Sequence, residues 1–283
     1  MIRLWARMAV ALDGLFPGVR VGGRDSDGAY SEWEYEEGKS LLMRYAEHFG
    51  PLYGVRVLDV GCGLGGKTAA YSEAGAEAFG VDISKRHIAA AARFAAERGH
   101  RARFVVGDAA ALPFRDDSFG LVVANDSMEH FADPSRAVDD LSRILKPGGR
   151  LFLFFTPWRS PLGSHLYDYI RMPWCHLILP ERVIEEALRL VLERRGEPDP
   201  AGRASALMGE YRSELNRITI DRYRRIVRGH GELETVFELL IPPKFGALRP
   251  LTRLPLFGKF FTGTVVALLR KRDEAAQPTR HSS

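Results

Sequence analysis

The residues best suited to chemistry in this sequence are three aspartates and one glycine-rich turn. Asp59 stands shortly before the turn, which spans residues 61–66, and Asp82 and Asp108 each follow a later apolar segment. Glycine tolerates positive φ and lets a ligand approach the main chain closely. The turn therefore predicts a binding site for a nucleotide-like ligand.

This turn satisfies two different motifs. One is an acid followed by alternating glycines, and the other is the P-loop pattern; they read Asp59-x-Gly61-x-Gly63-x-Gly65 and Gly61-x-x-x-x-Gly66-Lys67-Thr68. In a P-loop enzyme the lysine would contact phosphates, and the threonine and an acid from another strand would hold Mg²⁺. Residues 121–126 could supply that acid, so the turn alone leaves both interpretations open.

Alternating strands and helices must position these residues. Five apolar segments predict strands, at 55–59, 78–81, 102–106, 119–124 and 150–155. The intervening segments predict helices, and the alternation predicts an α/β fold with a doubly wound, mostly parallel sheet. Ligands of such sheets bind beyond the carboxyl ends of the strands. The three aspartates stand at three successive ends of this kind.

The order of these acids favours a cationic nucleoside over a triphosphate. A carboxylate at Asp59 would attract an amino-acid ammonium group and would repel a triphosphate. Asp82 is placed to accept hydrogen bonds from ribose hydroxyls. Asp108 is placed to accept one from an adenine amino group. Each aspartate alone is more typical of a cap or a turn, but together they indicate one ligand.

Residues 55–155 resemble the class I S-adenosylmethionine (SAM)-dependent methyltransferases. More narrowly, they resemble the methyltransferase type 11 group, which includes ubiquinone and menaquinone biosynthesis enzymes and natural-product methyltransferases. The segments that carry the resemblance are 58–63, 80–84, 107–114 and 144–149. The resemblance implies SAM as cofactor, S-adenosylhomocysteine as product, and a Rossmann-like seven-stranded sheet. Its last strand would be antiparallel, and 233–241 and 262–269 would complete it.

The resemblance also implies a set of cofactor-binding residues. The glycine turn with its aspartate would hold the methionine part, together with Asn125. Asp82 would bind the ribose and Ile83 would lie against the adenine, whose edge Asp108 and Ala109 would contact. Lys67 and Thr68 would then be ordinary first-turn helix residues. The complete set is Asp59, Gly61, Cys62, Gly63, Gly65, Asp82, Ile83, Asp108, Ala109 and Asn125.

Two histidines are candidates for a general base, which would assist methyl transfer to a hydroxyl or an acidic carbon. His130 lies in the loop after the fourth predicted strand, and His165 opens a later polar cluster. The competing interpretation is a structural role for both. Seven residues are expected to line the substrate pocket or to pack around it: Tyr30, Tyr35, Glu129, Tyr167, Asp168, Tyr169 and Trp174.

Length and composition set the expected organisation. The 283 residues, 46% of them hydrophobic and 27% charged, suit one α/β domain with an insertion or two small domains. We expect N-terminal helices that pack on or cover the cofactor site (1–50) and a SAM-binding core (51–156). A helical substrate cap (157–230), two completing strands (231–271) and a disordered tail (272–283) should follow. The two cysteines indicate neither a disulfide framework nor a metal site, and a cytoplasmic location is expected.

The N-terminal segment predicts an amphipathic helix. Ile2, Trp5, Ala9, Leu12 and Phe16 recur at helical spacing, so this face would dock on the domain or lie on a membrane surface. A second helix is predicted from an N-cap at residue 31 to about residue 49. Three helices are predicted in the cap, at about 181–195, 204–216 and 219–229.

These patterns predict methyl transfer to an oxygen or carbon of a small acceptor, lipophilic or anionic. The loop at 125–128 lacks the Asn/Asp-Pro-Pro-aromatic motif of amino-directed enzymes, and no nucleic-acid partner is expected. Methylation of RNA or protein is the alternative, because arginines make 212–228 basic. Pairing of those arginines with Glu210, Glu214 and Asp221 would instead give a solvated face. A P-loop hydrolase is the remote alternative, and the sequence does not determine the oligomeric state.

Overall fold

Seven short strands pair into one sheet in the computed structural model, which describes residues 1–16, 26–243 and 258–273. Across the sheet their order is β3-β2-β1-β4-β5-β7-β6. The first five run parallel and the last strand runs antiparallel, which confirms the predicted fold class. The strands are β1 (Arg56–Val60), β2 (Glu77–Asp82), β3 (Arg103–Val106), β4 (Phe119–Asn125), β5 (Leu145–Phe155), β6 (Leu233–Ile241) and β7 (Thr264–Lys271).

The helices alternate with the first five strands and then dominate the chain from residue 175 to residue 229, as the sequence predicts. Most of the predicted tail lies outside the described residues. The helices are α1 (Ile2–Asp13), α2 (Asp27–Arg44), α3 (Ala46–Phe49), α4 (Gly66–Glu73), α5 (Lys85–Glu97), α6 (Pro134–Ile144), α7 (Cys175–Ile178), α8 (Glu181–Arg194), α9 (Pro200–Ser213) and α10 (Ile220–Gly229).

The strand register brings the predicted site residues to one edge of the sheet. Asp59 of β1 pairs with Gly80 of β2 and with Val123 of β4. Because parallel strands share a direction, the ends of β1, β2 and β4 therefore meet at the same edge. Asp82 and Asn125 are the final residues of β2 and β4, so both lie there with the glycine turn.

Strand β5 begins earlier than the sequence predicts. The Lys-Pro-Gly-Gly segment at 146–149 indicates a turn before a strand at 150–155, but pairing with β4 already starts at Leu145. The register then passes from Phe119–Leu145 to Leu121–Arg150, so residues 146–149 form an irregularity within the strand. Gly148 has a φ of +73° here, which a glycine adopts without strain.

Two compact units divide the described residues. The sheet unit contains 26–155, 223–239 and 266–273, and the helical unit contains 1–16, 156–222, 240–243 and 258–265. Helix α2 therefore belongs with the sheet, whereas α1 belongs with the helices that follow β5. Most of α10, predicted as part of the cap, belongs to the sheet unit, where the ring of Tyr223 lies 5.2 Å from that of Phe155.

Helix α2 begins before the predicted N-cap. Ser26 caps it instead, accepting a hydrogen bond from the N–H of Ala29 at 3.1 Å. Ser31 is buried one turn inside the helix, where its hydroxyl donates to the carbonyl oxygens of Asp27 and Leu64. The serine that resembles a cap therefore joins α2 to the glycine turn.

Helices α2 and α4 approach each other closely because glycines lie at their crossing. A Cβ added at Gly66 would lie 2.1 Å from the carbonyl oxygen of Ser31, and one at Gly38 would lie 3.0 Å from the Cα of Lys67. Only a residue without a side chain fits the first of these positions. Gly66 is thus required for packing α2 onto the turn.

Helix α1 docks through its small residues and not through the predicted bulky ones. Ala6 and Val10 are buried in a cluster with apolar residues of α8 and α9, and Ala9 is buried as well. Trp5 and Leu12, which belong to the stripe expected to dock on the domain or to lie on a membrane surface, are 54% and 48% exposed. Small side chains allow a closer approach to α8. Among the described residues, no helix has the length and apolarity needed to cross a bilayer.

Several arginines in and between α9 and α10 form ion pairs, and Arg203 lies 3.7 Å from Glu210, one of the predicted acids. Arg212 and Arg217 lie 2.8 Å and 3.6 Å from the carboxylate of Glu181, and Arg224 contacts Glu238. These ion pairs give a solvated, partly neutralised surface.

Replacing Gly66 with alanine should destabilise the protein. The new Cβ would overlap the main chain of α2. Because helical hydrogen bonds fix that main chain, it cannot move aside without a loss of stability. We expect a loss of at least about 1–3 kcal/mol in the free energy of unfolding, measured by urea titration.

Gly209 provides the matched control because it lies within α9 and an added Cβ there would meet no atom within 4 Å. Gly209→Ala should be neutral or should stabilise the protein by up to about 1 kcal/mol through helix propensity. Equal free energies of unfolding for the two variants would contradict the close crossing of α2 and α4.

Candidate cofactor site

The glycine turn uses its first main-chain N–H groups to bind the neighbouring strand. The N–H groups of Gly61 and Cys62 both donate to the carbonyl oxygen of Val81, at 2.8 Å and 3.0 Å. The N–H of Gly65 donates to the carbonyl oxygen of Cys62 at 3.0 Å. The turn is therefore tied to β2 by its own backbone.

Carboxylates accept from two further N–H groups of the turn. The N–H of Gly63 donates to Asp82 Oδ2 at 3.1 Å, and that of Gly66 donates to Glu34 Oε2 at 3.4 Å. A phosphate-binding loop directs its N–H groups at the anion. Here those groups are bonded to the protein, two of them to negative charges, so the turn is not built for a triphosphate.

The glycines of the turn face different neighbouring elements. An added Cβ at Gly61 would lie 2.7 Å from Ser127, after β4, and one at Gly65 would lie 2.6 Å from a side chain of α5. At Gly63 the nearest atom would be a carboxylate oxygen of Glu34, at 3.1 Å. All three glycines have positive φ, between +53° and +82°. The turn is thus enclosed by β4, α5 and α2 at once.

Asp59 is buried and is bonded to Thr68. Its side chain is almost fully inaccessible, and Oδ2 accepts a hydrogen bond from the Thr68 hydroxyl at 2.6 Å. Burial raises the pKa of Asp59 to about 6, although this hydrogen bond partly lowers it. Thr68 does lie in the first turn of α4, as predicted, but its hydroxyl orients the aspartate and does not face a metal site.

Lys67 points into the same acidic environment. Its Nζ lies 3.8 Å from Glu34 Oε1. Burial lowers the pKa of Lys67, but the negative charges of Glu34, Asp126 and Asp59 outweigh it, and the net shift is upward. Lys67 therefore remains protonated at neutral pH and neutralises the surrounding carboxylates. It is more than the ordinary first-turn residue that the resemblance implies.

Glu34 is a site residue that the sequence did not identify. It is 5% exposed, and burial raises its pKa to about 7, with the charge of Lys67 acting in the opposite direction. In the sequence, Glu34 stands three residues after Ser31 and resembles the second member of a capping box. That local interpretation conceals its contact with a turn that lies more than thirty residues away.

Asp82 organises the end of β2. One carboxylate oxygen accepts from the N–H of Gly63, and the other accepts from the N–H of Ser84 at 2.8 Å. Burial raises the pKa of Asp82, but the bonds from His87, Ser84 and Gly63 reverse this, so its pKa is lowered overall. The hydrogen bond between His87 and Asp82 in turn raises the pKa of His87. Asp82 is thus an ionised acceptor at the edge of the turn.

The residues predicted to contact adenine are open to solvent. Ile83, next to Asp82, is 74% exposed, which is unusual for a large apolar side chain and suits a surface that a flat ring would cover. Asp108 is also exposed, and its Oδ1 accepts from the N–H of Ala110 at 2.9 Å. Ala109 is half-buried beside it.

The loop after β4 holds the predicted base and its neighbours. The side-chain amide of Asn125 donates to Asp126 Oδ2 at 2.7 Å, and Asp126 adopts a φ of +53°. Residues 128–130 form one 3₁₀ turn in which Glu129 is buried and His130 is exposed. His130 is therefore accessible to an acceptor, whereas Glu129 belongs to the interior.

Of the two aromatic candidates on α2, one is a core residue. Tyr35 is buried against Phe94 of α5, and its hydroxyl donates to Glu73 Oε2 at 2.6 Å. Substrate binding by Tyr35 is not supported by this placement. Tyr30 is half-buried, with its ring 5.4 Å from that of Trp33.

The remaining candidates lie in the helical unit. His165 is half-buried with a φ of +57°, and its ring lies 6.3 Å from that of Tyr167. The main-chain oxygen of Asp168 accepts from Arg195, whose guanidinium also covers the ring of Tyr169. These two residues therefore help to pack the unit.

Trp174 has a structural role in the helical unit. Its indole N–H lies 3.0 Å from the carbonyl oxygen of Phe260 and 3.2 Å from that of Arg159. Its ring also meets the edge of Phe261 at 5.3 Å. Trp174 therefore joins two segments of the unit that are far apart in the chain.

A cavity opens in the sheet unit beside Lys67 and the end of β4. Its wall combines three large apolar side chains with two acids and two cations, and most of it comes from α2. The sequence identified only Asn125 among these residues, because helical periodicity alone does not reveal which part of α2 meets the sheet. The lining residues are Trp33, Glu37, Ser40, Leu41, Arg44, Lys67, Asn125, Asp126 and Phe154.

The residues of the sheet unit fit SAM. The ionised Asp82 and the exposed Ile83 match a ribose and an adenine beyond the end of β2. The carboxylates around the turn suit a ligand with a sulfonium and an ammonium group. An anionic ligand would instead face the carboxyl groups of Asp59 and Glu34, which do not favour its binding.

Replacing Glu34 with glutamine should change how stability depends on pH. The pKa of Glu34 is about 7 in the folded protein against an ordinary value of 4.5, so its protonation favours the folded state. The stability that this proton provides is fully present below about pH 4.5 and is lost as pH rises through 7. Glu34→Gln removes that loss. Between pH 5 and pH 8 the free energy of unfolding should shift in favour of the variant by up to about 3 kcal/mol.

The control for this experiment is Glu36→Gln, which changes an exposed acid of the same helix. Its difference from the wild type in urea titrations should stay constant with pH. A constant difference for Glu34→Gln as well would show that Glu34 is not held in a buried, proton-binding position.

Comparison with known proteins agrees with this site. The family described as "Methyltransferase domain" matches residues 58–153. An uncharacterized methyltransferase of Mycolicibacterium vanbaalenii is 30% identical over 217 residues, which cover 77% of this chain and 76% of the relative. A demethylmenaquinone methyltransferase of Clavibacter sepedonicus is 38% identical over 120 residues, covering 42% and 48%.

The fold recurs in solved structures. The [4+2]-cyclase SpnF superposes with a TM-score of 0.55 at 20% identity, over 95% of this chain and 93% of that one. At this identity the similarity concerns the fold. The relative matched over three quarters of both chains, the matched domain and the acidic glycine turn agree with one another, and the chain belongs to the class I SAM-dependent methyltransferases.

Proposed function

We propose that this enzyme transfers a methyl group from SAM to an oxygen or carbon atom of a small molecule. Bound SAM supplies an activated methyl group on a sulfonium, which is displaced in line by the acceptor. The protein contributes position, since alignment of the acceptor with the S–CH₃ bond can supply several kcal/mol. A basic side chain would accept the proton that the acceptor loses.

The observation that carries this proposal is the conformation of the loop after β4. The amide of Asn125 donates to Asp126 and is thereby oriented along the loop. Amino-directed enzymes of this fold place an Asn/Asp-Pro-Pro-aromatic segment here, whereas this chain has Asn125-Asp126-Ser127-Met128. An oxygen or carbon acceptor fits a loop whose amide is already engaged.

The cavity supports an acceptor with an apolar body and an anionic or hydroxylated end. Trp33, Leu41 and Phe154 offer apolar contact, and the cationic groups of Arg44 and Lys67 lie in the same wall. The relative from Clavibacter is named a demethylmenaquinone methyltransferase. We infer a quinol-like or phenolic small molecule as the acceptor class.

Direct assay tests this proposal. Purified protein would be incubated with SAM carrying a ¹³C-methyl group and with phenols, quinols, anionic small molecules, nucleosides and RNA. S-adenosylhomocysteine release would be measured, and the methyl carbon shift would distinguish oxygen, carbon and nitrogen products. Turnover confined to phenols or quinols supports the proposal. An N-methyl product, or turnover with RNA alone, would overturn it.

Replacing Asp82 with alanine should weaken cofactor binding. The carboxylate would accept from the ribose hydroxyls, and it also holds the N–H of Gly63 in the turn. We expect the Kd for S-adenosylhomocysteine, measured by isothermal titration, to rise at least about tenfold, because each lost hydrogen bond to a charged group is worth about 1.5–3 kcal/mol. Asp116→Ala, which changes an exposed acid outside the site, is the control. An unchanged Kd for Asp82→Ala would refute the ribose assignment.

His130 is proposed as the base that accepts the acceptor's proton on a ring nitrogen. If so, His130→Ala should lower kcat at least about 100-fold for a hydroxyl acceptor while leaving the Kd for S-adenosylhomocysteine unchanged. Near-normal turnover would remove His130 from this role, and His165 would then be tested in the same way.

A further inference from the structure

Helix α1 presents its bulky apolar side chains to solvent. Five of them, in and just after the helix, are 48–76% exposed, and at 3.6 residues per turn they fall on one side. We propose that this surface, named here the α1 apolar face, binds the surface of an anionic lipid membrane. The face consists of Leu4, Trp5, Met8, Leu12 and Leu15.

The opposite side of α1 fixes the helix to the helical unit. Ala6 and Val10 are buried among apolar residues of α8 and α9. The carboxylate of Asp13 is buried and accepts from the main-chain N–H groups of Arg171 and, at 2.9 Å, Met172. The helix is therefore held in one orientation, with its large residues outward. A docking helix normally buries its large residues and exposes its small ones.

The charges of α1 match an anionic surface. Arg3 and Arg7 are exposed, and Arg3 is 3.7 Å from Glu186 with most of its side chain still accessible. Asp13 is the only acid of α1, and it is turned inward. The exposed part of the helix thus combines apolar side chains, a tryptophan and two cations. This combination is typical of helices that lie in the interface of anionic bilayers.

A second copy of the chain fits this surface less well than lipid does. Two copies joined through the α1 apolar face would add no negative charge for Arg3 and Arg7, because α1 carries no exposed carboxylate. Anionic headgroups supply the missing negative charge, and acyl chains accept the apolar side chains. The charge pattern therefore favours lipid as the occupant.

Vesicle co-sedimentation of the full chain tests the proposal. Wild-type protein should sediment with vesicles of phosphatidylcholine and phosphatidylglycerol (7:3) and much less with phosphatidylcholine alone. Met8→Glu/Leu12→Glu should lower the partition coefficient at least about tenfold, because two charges would enter the apolar interface. Arg3→Gln/Arg7→Gln should reduce binding to the level seen with neutral vesicles.

The matched control is Tyr53→Glu/Val236→Glu, which changes two exposed apolar residues of the sheet unit, 89% and 52% accessible. It should bind vesicles like the wild type. Trp5→Phe should abolish the blue shift of tryptophan fluorescence on binding, and thermal unfolding should show that each variant is folded. Absence of wild-type binding to anionic vesicles would overturn the proposal. So would a dimer in light scattering that Met8→Glu/Leu12→Glu dissolves, since a second copy would then cover the face.

Discussion

The close approach of α2 to the glycine turn is the constraint on which the sheet unit depends. The carbonyl of Ser31 occupies the space where a side chain at residue 66 would lie, while Ser127 and α5 occupy the corresponding spaces at Gly61 and Gly65. Three elements remote in sequence therefore converge on one turn. A side chain at any of these glycines would displace α2, α5 or the loop after β4, and would not only block a bound ligand. The motif usually explained by cofactor binding is at least as much a packing motif.

That convergence creates the electrostatics of the site. It brings the buried Glu34 and Asp59 and the exposed Asp126 around Lys67, and burial raises the pKa values of Glu34 and Asp59. The N–H groups of the turn bond to the protein, two of them to carboxylates. A site of this kind repels a triphosphate and accommodates a cation, which is why the literal P-loop match carries no function here.

The helical unit illustrates a different limit on sequence reasoning. Periodicity correctly predicts the amphipathic helix α1, and the helices α8 and α9 begin and end within a few residues of their predicted bounds. It does not tell which side of α1 docks. Small residues permit the closest contact, so Ala6 and Val10 are buried and Trp5 is exposed. The bulky apolar residues of α1, whose spacing resembles that of a buried helix face, are therefore exposed on its outer side.

The resemblance of residues 55–155 to a known family implied the cofactor. Short-range patterns in the sequence were sufficient for the strand–helix alternation and for the acids at the strand ends. These features follow from periods of two and 3.6 residues and from spacings within one βα unit, which any stretch of chain carries by itself. Only the tertiary structure showed that Glu34 and Lys67 form an ion pair in the site. It also showed that Tyr35 is a core residue and that Gly66 is needed for α2 to pack against the turn. Each of these depends on where α2 crosses the sheet. That crossing is set by steric fit between segments more than thirty residues apart, and no local pattern encodes it.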